Sequence, residues 1–292
     1  MKNRSQKSAG FNLTPPEKSE RIAKVIARAG ICSRREAEVY IADGRVKVNG
    51  ELLESPAFTV TASDKIEVDN VRLGKPEPPR LWRYHKPRGL VVSNKDEKGR
   101  DTIFMKLPES VPRVISVGRL DIDSEGLLLL TNDGKLARHL ELPATGWTRK
   151  YRVRVHGRVE EAKLEKIAEG INIDGAQYGP VLARLDTQKN SNAWLTIAIK
   201  EGRNREVRNI MEHLGYPVTR LLRLSYGPFL LGKLEAGQVE EVKPTVLAQQ
   251  LGLPSDTIET KDAKQLAGAP KFCLKTKSVN RNKHKQKRPR RP

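Results

Sequence analysis

The sequence predicts an α+β protein with a small N-terminal module, a larger mixed-sheet domain and a basic C-terminal tail. Its 292 residues exceed the size of one ordinary domain, and 37% of them are hydrophobic, so a sizeable core can be buried. Helical and strand-like apolar patterns both occur along the chain. Three prolines within 73–80 disfavour helix and sheet, which predicts a linker between the two folded parts.

The N-terminal module, 18–72, is predicted to contain two helices and a hairpin. One helical face and its terminating glycine are formed by Ile22, Val25, Ile26, Ala29 and Gly30. Ser33 and Glu36 have the spacing of a capping box, which begins a second helix. Alternating valines then precede Asn49 and Gly50, a pair typical of a tight turn between two strands.

The larger domain, 81–250, is predicted from a mixture of periodic segments. The strand-like runs are Leu81–His85, Val114–Val117, Leu127–Thr131, Tyr151–His156 and Trp194–Ile199. The helical runs are Val159–Glu169 and Glu206–Leu214, and each is followed by a glycine. Strands and helices that alternate in this way predict a mixed α+β domain.

Both ends of the chain are predicted to be flexible. Residues 1–17 are polar and contain two prolines, so they form an arm. The tail is assigned to 251–292, of which 271–292 holds ten Lys and Arg and no acid. Such a composition cannot pack a core, but it favours contact with anions.

Charge and cysteine content limit the classes of partner. The chain has 55 Lys and Arg against 35 Asp and Glu, a net charge of +20, which favours RNA or DNA as a partner. Cys32 lies in a helical region and Cys273 in the tail, too far apart in sequence for a disulfide framework or a zinc site. No run approaches the length of an apolar membrane span. A monomeric protein of the cytoplasm is expected.

Basic residues surround the predicted helices and hairpin of the first module: Arg21, Lys24, Arg28, Arg34, Arg35, Arg45 and Lys47. Charge alone fits an ordinary solvated face equally well. The run from Gly30 to Gly50, however, resembles the S4 RNA-binding domain, in which two helices and a hairpin present cations to structured RNA. This resemblance implies contacts with RNA shape and phosphates, which need no base readout.

Three carboxylates, Asp121, Asp123 and Glu125, alternate just before an apolar strand in the second domain. Their spacing matches the first half of a calcium loop, but Asn132 stands where that loop needs a bidentate glutamate. A turn capped by its own aspartates is another interpretation. An aspartate next to Arg119 at a strand entrance can also serve as a nucleophile or base, and residue type alone does not choose.

The stretch Gly118–Asp121, with the following Gly-Leu-Leu-Leu-Leu-Thr-Asn-Asp-Gly, resembles the catalytic signature of RNA pseudouridine synthases, in the group of small-subunit synthase A and large-subunit synthases B, E and F. That family joins an S4 domain to a catalytic domain in the order seen here. The resemblance implies that Asp121 is the essential catalytic residue. The reaction moves ribose C1′ from uracil N1 to C5 and needs no metal, redox step or cofactor. Attack at C1′, attack at C6 and removal of a ribose proton all remain open.

Tyr151 follows a basic run and shares one side of its predicted strand with Val153 and Val155. By itself it fits an ordinary core aromatic. The family's corresponding strand places a tyrosine against the target uracil, and the resemblance therefore implies a catalytic role for Tyr151. Lys150 directly precedes it, whereas the family pattern has a spacer, so the resemblance carries over to this lysine less directly than to Tyr151.

The segment 201–215 supplies the remaining candidates. Arg203 and Arg205 lie near a helix start, where backbone donors and guanidinium groups favour phosphate. Arg208 fits a surface arginine, but resemblance to the family's motif implies a salt bridge to Asp121. By the same resemblance, Arg119 fills the space left by the flipped uridine, because buried base atoms cannot be reached inside a helix.

The sequence therefore predicts an rRNA pseudouridine synthase without cofactor or metal. The run 220–227 and the basic tail look most like the large-subunit synthase B branch, which implies 23S rRNA. A 16S rRNA enzyme and a non-catalytic RNA-binding assembly factor are the alternatives. A DNA-binding protein is less favoured, because no recognition-helix arrangement or zinc finger is evident.

Overall fold

The computed structural model of the protein describes residues 19–74 and 77–254. The helices are α1 (Ile22–Arg28), α2 (Arg34–Ala42), α3 (Gly134–Glu141), α4 (Glu161–Glu165), α5 (Glu206–His213) and α6 (Pro244–Leu251). Short 3-10 helices span Ile103–Met105 and Pro143–Thr145. Across these described ranges, no helix is long and apolar enough to span a membrane.

The strands are β1 (Glu20–Arg21), β2 (Val46–Val48), β3 (Glu51–Leu52), β4 (Thr59–Val60), β5 (Ile66–Val68), β6 (Val71–Arg72), β7 (Leu81–Lys86), β8 (Ile115–Val117), β9 (Glu125–Thr131), β10 (Arg149–His156), β11 (Ile171–Ile173), β12 (Ala176–Tyr178), β13 (Val181–Lys189), β14 (Asn192–Ile199), β15 (Val218–Tyr226), β16 (Phe229–Leu230) and β17 (Val239–Glu241). Both the N-terminal and the C-terminal part contain helices together with antiparallel strands, which confirms the predicted α+β class.

The N-terminal part packs α1 and α2 against a four-stranded sheet of order β3-β2-β5-β6. The predicted capping box is present, because the Ser33 hydroxyl accepts from the Glu36 N–H and the Glu36 carboxylate accepts from the Ser33 N–H. The tight turn between β2 and β3 uses Asn49 and Gly50, both at positive φ (55° and 93°). Cys32 is buried between the two helices rather than within one.

The C-terminal part is built on a nine-stranded sheet of order β13-β14-β10-β15-β9-β7-β17, with β8 and β16 added at β9 and β15. The pairing of β9 with β15 is parallel and joins two otherwise antiparallel halves. Gly126 lies at this junction with φ +103°, and a Cβ there would collide with the Arg223 backbone. The close approach of the two strands therefore requires glycine at this position.

The sheet separates two hydrophobic cores. One contains the buried side chains of β10 and β14 together with those of α4 and α5. The other contains α3 and α6 packed on the opposite face of β7 and β9. This second layer stops short of β10, β14 and β13, so β10 has one buried and one exposed face, with strict alternation along its eight residues.

Several elements differ from the prediction. The helix predicted at Val159–Glu169 is a single turn, Glu161–Glu165, because the following N–H groups of Ala168 and Gly170 close tighter turns onto carbonyls three residues back. Helices α3 and α6 and strands β13 and β15 were not predicted. The predicted arm and most of the predicted tail lie outside the described residues, as do two residues of the predicted linker.

Candidate active site

A cavity of about 750 Å³ opens where the loop before β9, the buried side of β10 and the loop before α5 meet. Asp121, Tyr151, Arg119, Arg203 and Arg205 all line this cavity. Five residues that the sequence singled out on three separate segments are therefore brought together. Arg208 lies beneath the loop that precedes β9.

Asp121 is half-buried in the loop 118–124, which connects β8 to β9. The Ser124 N–H donates to the Asp121 carbonyl (3.1 Å), which closes a tight turn. The Gly118 N–H donates to the Glu141 carboxylate at 2.7 Å, and this contact anchors the start of the loop to the end of α3. Backbone contacts thus fix the loop while the Asp121 side chain faces the cavity.

Lys86, at the end of β7, supports this loop from below, and the sequence reasoning missed it. Its side chain is fully buried, and its ammonium donates to the carbonyls of Asp121 (3.0 Å), Ser124 (2.8 Å) and Pro87 (3.1 Å). Burial lowers the pKa of Lys86 to about 8, against the opposing effect of Asp123 and the other nearby carboxylates. The sequence signal that could have revealed this role is a lysine at a strand position whose side chain points into the core.

Arg208 does not pair with Asp121, and the predicted salt bridge is wrong on this point. Its Nη2 lies 3.0 Å from Asp123 Oδ2 and donates to the Asp123 carbonyl at 3.2 Å, while Nη1 donates to the Val218 carbonyl. The turn closed by Ser124 directs Asp123 toward α5 and leaves Asp121 facing the cavity. Burial lowers the pKa of Arg208, and Asp123 opposes that shift.

Among the described residues, the cation that pairs with the Asp121 carboxylate is instead Arg205, whose Nη1 lies 3.6 Å from Asp121 Oδ2 and 3.8 Å from Asp123 Oδ1. Arg205 precedes α5 in the left-handed region (φ 51°), a backbone strain that a non-glycine residue adopts mainly where the surroundings enforce it. Its side chain is 44% exposed, so the attraction is screened by solvent. It bridges the two aspartates at the cavity rim.

The other arginines of this region have different surroundings. Arg203 pairs with Glu201 at 2.9 Å and lies over the Tyr178 ring, and its N–H donates to the Glu206 carboxylate. Burial raises the pKa of Glu206. Arg119 is exposed at the cavity rim. Arg119 and Arg203 are therefore both accessible to a phosphate.

Tyr151 is buried on the core side of β10, between Ile197 and Arg223 of the neighbouring strands. It belongs to the hydrophobic core and also lines the cavity. Its body therefore packs in the core, as for an ordinary core aromatic, while one surface lines the same cavity as Asp121, and its catalytic role stays a prediction.

Two buried arginines, Arg149 and Arg223, also line the cavity and were missed. Arg149 donates to the Tyr226 hydroxyl (2.8 Å) and to the Trp147 and Lys200 carbonyls. Arg223 donates to the Leu127 carbonyl at 2.7 Å. Arg149 lies two residues before Tyr151, so the period of two along β10 was a signal for its inward direction.

The predicted RNA-binding residues of the N-terminal part fall into two groups. Arg21, Arg34 and Arg35 are exposed and form no ion pair with any described residue. The others have local partners: Lys24 with Glu20 (2.6 Å), Arg45 with Asp69 (2.6 Å) and over the Tyr40 ring, and Lys47 with Asn70 (3.0 Å). Arg45 thus joins elements within the module instead of presenting a free cation.

Comparisons with known proteins identify both parts of the chain. Residues 80–213 match the family model of RNA pseudouridylate synthase, and residues 20–66 match that of the S4 domain. An uncharacterized RNA pseudouridine synthase of Rickettsia felis is 45% identical over 228 residues, which cover 78% of this chain and 99% of that protein.

A second relative is the ribosomal large subunit pseudouridine synthase B of Haemophilus influenzae, 37% identical over 284 residues, which cover 94% of this chain and 80% of that protein. Among solved structures, the crystal structure of a pseudouridylate synthase matches with a TM-score of 0.55 at 30% identity, covering 79% of this chain and 99% of the other.

Proposed function

Because this chain belongs to the RNA pseudouridine synthase family and is an isomerase of that class, we propose that it converts a specific uridine of 23S rRNA to pseudouridine, with Asp121 as the catalytic carboxylate. The observation that carries this proposal is the position of Asp121, whose side chain faces the cavity while two buried cations hold its loop. The similarity to a large subunit synthase B supports the choice of rRNA.

The reaction breaks the bond from C1′ to N1, turns the uracil and joins C1′ to C5. The hydrogen on C5 leaves and N1 gains one, so the composition of the nucleotide is unchanged. Asp121 is the group that meets the ribose or the ring, by attack at C1′, by attack at C6 or by removal of a ribose proton. Tyr151, at the same cavity, stacks on the uracil, and its hydroxyl assists the loss of the C5 proton.

The surrounding cations bind and position. Arg208 acts through Asp123 and is a positioning residue, because it does not contact Asp121. Arg205 attracts the Asp121 carboxylate and, with Arg203, meets the phosphates next to the target nucleotide. Arg119 occupies the gap left when the uridine leaves its stack. Exposed Arg21, Arg34 and Arg35 contact the RNA backbone from the S4 module.

The domain organisation that we propose places the S4 domain at 18–72 and the catalytic domain at 81–250, joined by the linker 73–80, with an arm at 1–17 and a basic tail at 251–292. The family matches at 20–66 and 80–213 support the order of the two domains and the position of the linker between them. We further propose that the enzyme acts as a monomer in the cytoplasm, where rRNA is made and assembled.

The test is carbodiimide-stop mapping of all rRNA pseudouridines in cells that lack this gene, with rescue by the intact gene or by Asp121→Ala. We expect one 23S site to be lost and restored by the intact gene alone. Loss of a 16S site would contradict the choice of subunit. An unchanged map would contradict rRNA modification and favour a binding role in assembly.

A further inference from the structure

The sheet has a second basic surface, on the side opposite Tyr151. The exposed residues of β10 alternate with its buried ones, and the pairing of β10 with β15, and of β14 with β13, brings further cations onto the same face. We use the name basic sheet face for Lys150, Arg152, Arg154, Arg184 and Arg220. Leu222, opposite Arg152 in register, packs against the core of α3 and α6. The basic sheet face is therefore on the same side of the sheet as these two helices, in the part that they leave uncovered.

The register sets the spacing of these cations. Thr196 stands between Arg152 and Arg184 on neighbouring strands, and Arg154 stands directly opposite Arg220. Side chains directly opposite each other have Cβ atoms about 4.5–5.5 Å apart, and like charges in that position destabilise a sheet. Glu125 pairs with Arg220 and offsets this repulsion within the protein, so Arg154 is the cation of the two that remains available to an external anion.

Carboxylates neutralise only part of the basic sheet face. Arg184 pairs with Asp186 at 3.1 Å, and Arg220 pairs with Glu125 at 2.6 Å. Lys150, Arg152 and Arg154 form no ion pair with any residue in the described ranges. Arg152 instead lies over the Trp194 ring, 4.8 Å from its centroid. An aromatic contact of this kind orients a guanidinium and leaves its N–H groups free for phosphate.

We propose that the basic sheet face binds phosphates of the substrate RNA outside the catalytic cavity. β13 is the edge strand of the sheet, so RNA that continues past the target uridine can pass over this edge, meet Arg184 and reach Arg152 and Arg154. The C-terminal segment 271–292 does not complement this face, because it carries ten Lys and Arg and no acid. The proposal rests on RNA as the substrate class, but not on the choice of 23S rRNA.

The test measures RNA affinity at several salt concentrations, with 16S and 23S rRNA transcripts and full-length protein. Each phosphate contact contributes a slope of about 0.7–0.9 to the dependence of log K on log salt concentration. We expect Arg152→Gln/Arg154→Gln to reduce this slope by about 1.4–1.8, and Lys150→Gln, which leaves the Trp194 contact intact, to reduce it by about 0.7–0.9. The thermal midpoint of each variant verifies the fold.

Two further variants separate phosphate contact from general attraction. Arg152→Lys/Arg154→Lys keeps both charges and is expected to retain most of the slope. Lys166→Gln/Lys233→Gln removes two exposed charges elsewhere on the catalytic domain and is expected to leave the slope near that of the intact protein. An unchanged slope in the Arg152→Gln/Arg154→Gln protein would overturn the proposal, as would an equal decrease in the Lys166 and Lys233 control. Neither outcome depends on Asp121, since the salt slope reports RNA affinity and not turnover.

Discussion

The loop that carries Asp121 and the basic surface of the S4 module use cations in opposite ways. Beneath the loop, Lys86 and Arg208 are buried, and their N–H groups donate to backbone carbonyls and to Asp123. In the S4 module, Arg34 and Arg35 are exposed and have no acidic partner in the described structure. Buried cations define a geometry, whereas exposed cations supply affinity that salt weakens. The two regions should therefore fail differently when a charge is removed.

The largest effect is expected when Arg208 loses its partner. Asp123→Ala leaves a guanidinium that is only 6% exposed without its carboxylate. Breaking a fully buried pair destabilises a protein by about 3–5 kcal/mol, and because the Asp123 side chain is 32% exposed, the loss expected here is at the lower end of that range, about 3 kcal/mol. Glu125→Gln is the matched control, because its partner Arg220 is 50% exposed, and there the loss should stay below about 1 kcal/mol. Urea unfolding of both variants measures the difference, and equal losses would show that Arg208 is not a buried structural cation.

The next effect concerns pH. The pKa of Lys86 is lowered in the folded protein to about 8, whereas an unfolded lysine has a value near 10.5. Between these values the unfolded chain binds the extra proton, so stability rises with pH. The free energy of unfolding of the intact protein relative to Lys86→Met should increase from about pH 8 to pH 10.5, by about 3 kcal/mol in total. A difference that stays flat would contradict a charged, desolvated Lys86.

Lys86→Met also separates positioning from folding. The methionine removes a buried charge, which favours the fold, but leaves the carbonyls of Asp121 and Ser124 without their donor. A displacement of about 1 Å in a catalytic group costs about 10²-fold in rate. We expect kcat to fall by about that factor at pH 7 with a much smaller change in KM. A variant in which KM alone changes would place Lys86 in RNA binding.

The smallest effect is expected in the S4 module. Arg34→Gln/Arg35→Gln should weaken RNA binding and reduce the salt slope by about 1.4–1.8, with the change in turnover confined mainly to KM. Arg45→Gln is the contrast within the same module, because Arg45 is held by Asp69 and Tyr40. That variant should lower the thermal midpoint and leave the salt slope unchanged. The reverse pattern would assign the RNA contact to Arg45.

Local sequence patterns predicted the parts of the fold that depend on neighbouring residues. The capping box of Ser33 and Glu36, the turn at Asn49 and Gly50, and the alternation of β10 all belong to this class. The α+β class, the S4 domain and the synthase family also followed from the sequence, the last two through resemblance. These features need no knowledge of which distant segments meet.

The parts that could not be predicted are contacts between distant segments. Lys86 donates to a carbonyl that lies 35 residues away, and a backbone acceptor leaves no trace in residue type. Likewise, Arg208 meets Asp123 and not Asp121 because a tight turn separates two aspartates that look equivalent in sequence. Arg149 and Arg223 line the cavity only once β10 and β15 pair.

The most direct test of the central claim is single-turnover release of tritium from RNA labelled at uridine C5, compared between the intact protein and Asp121→Asn. The substitution keeps the size of the side chain but removes its nucleophilic and basic oxygen. We expect no release above background from Asp121→Asn, with RNA affinity that is not reduced. Release at the rate of the intact protein would show that Asp121 does not perform the chemistry.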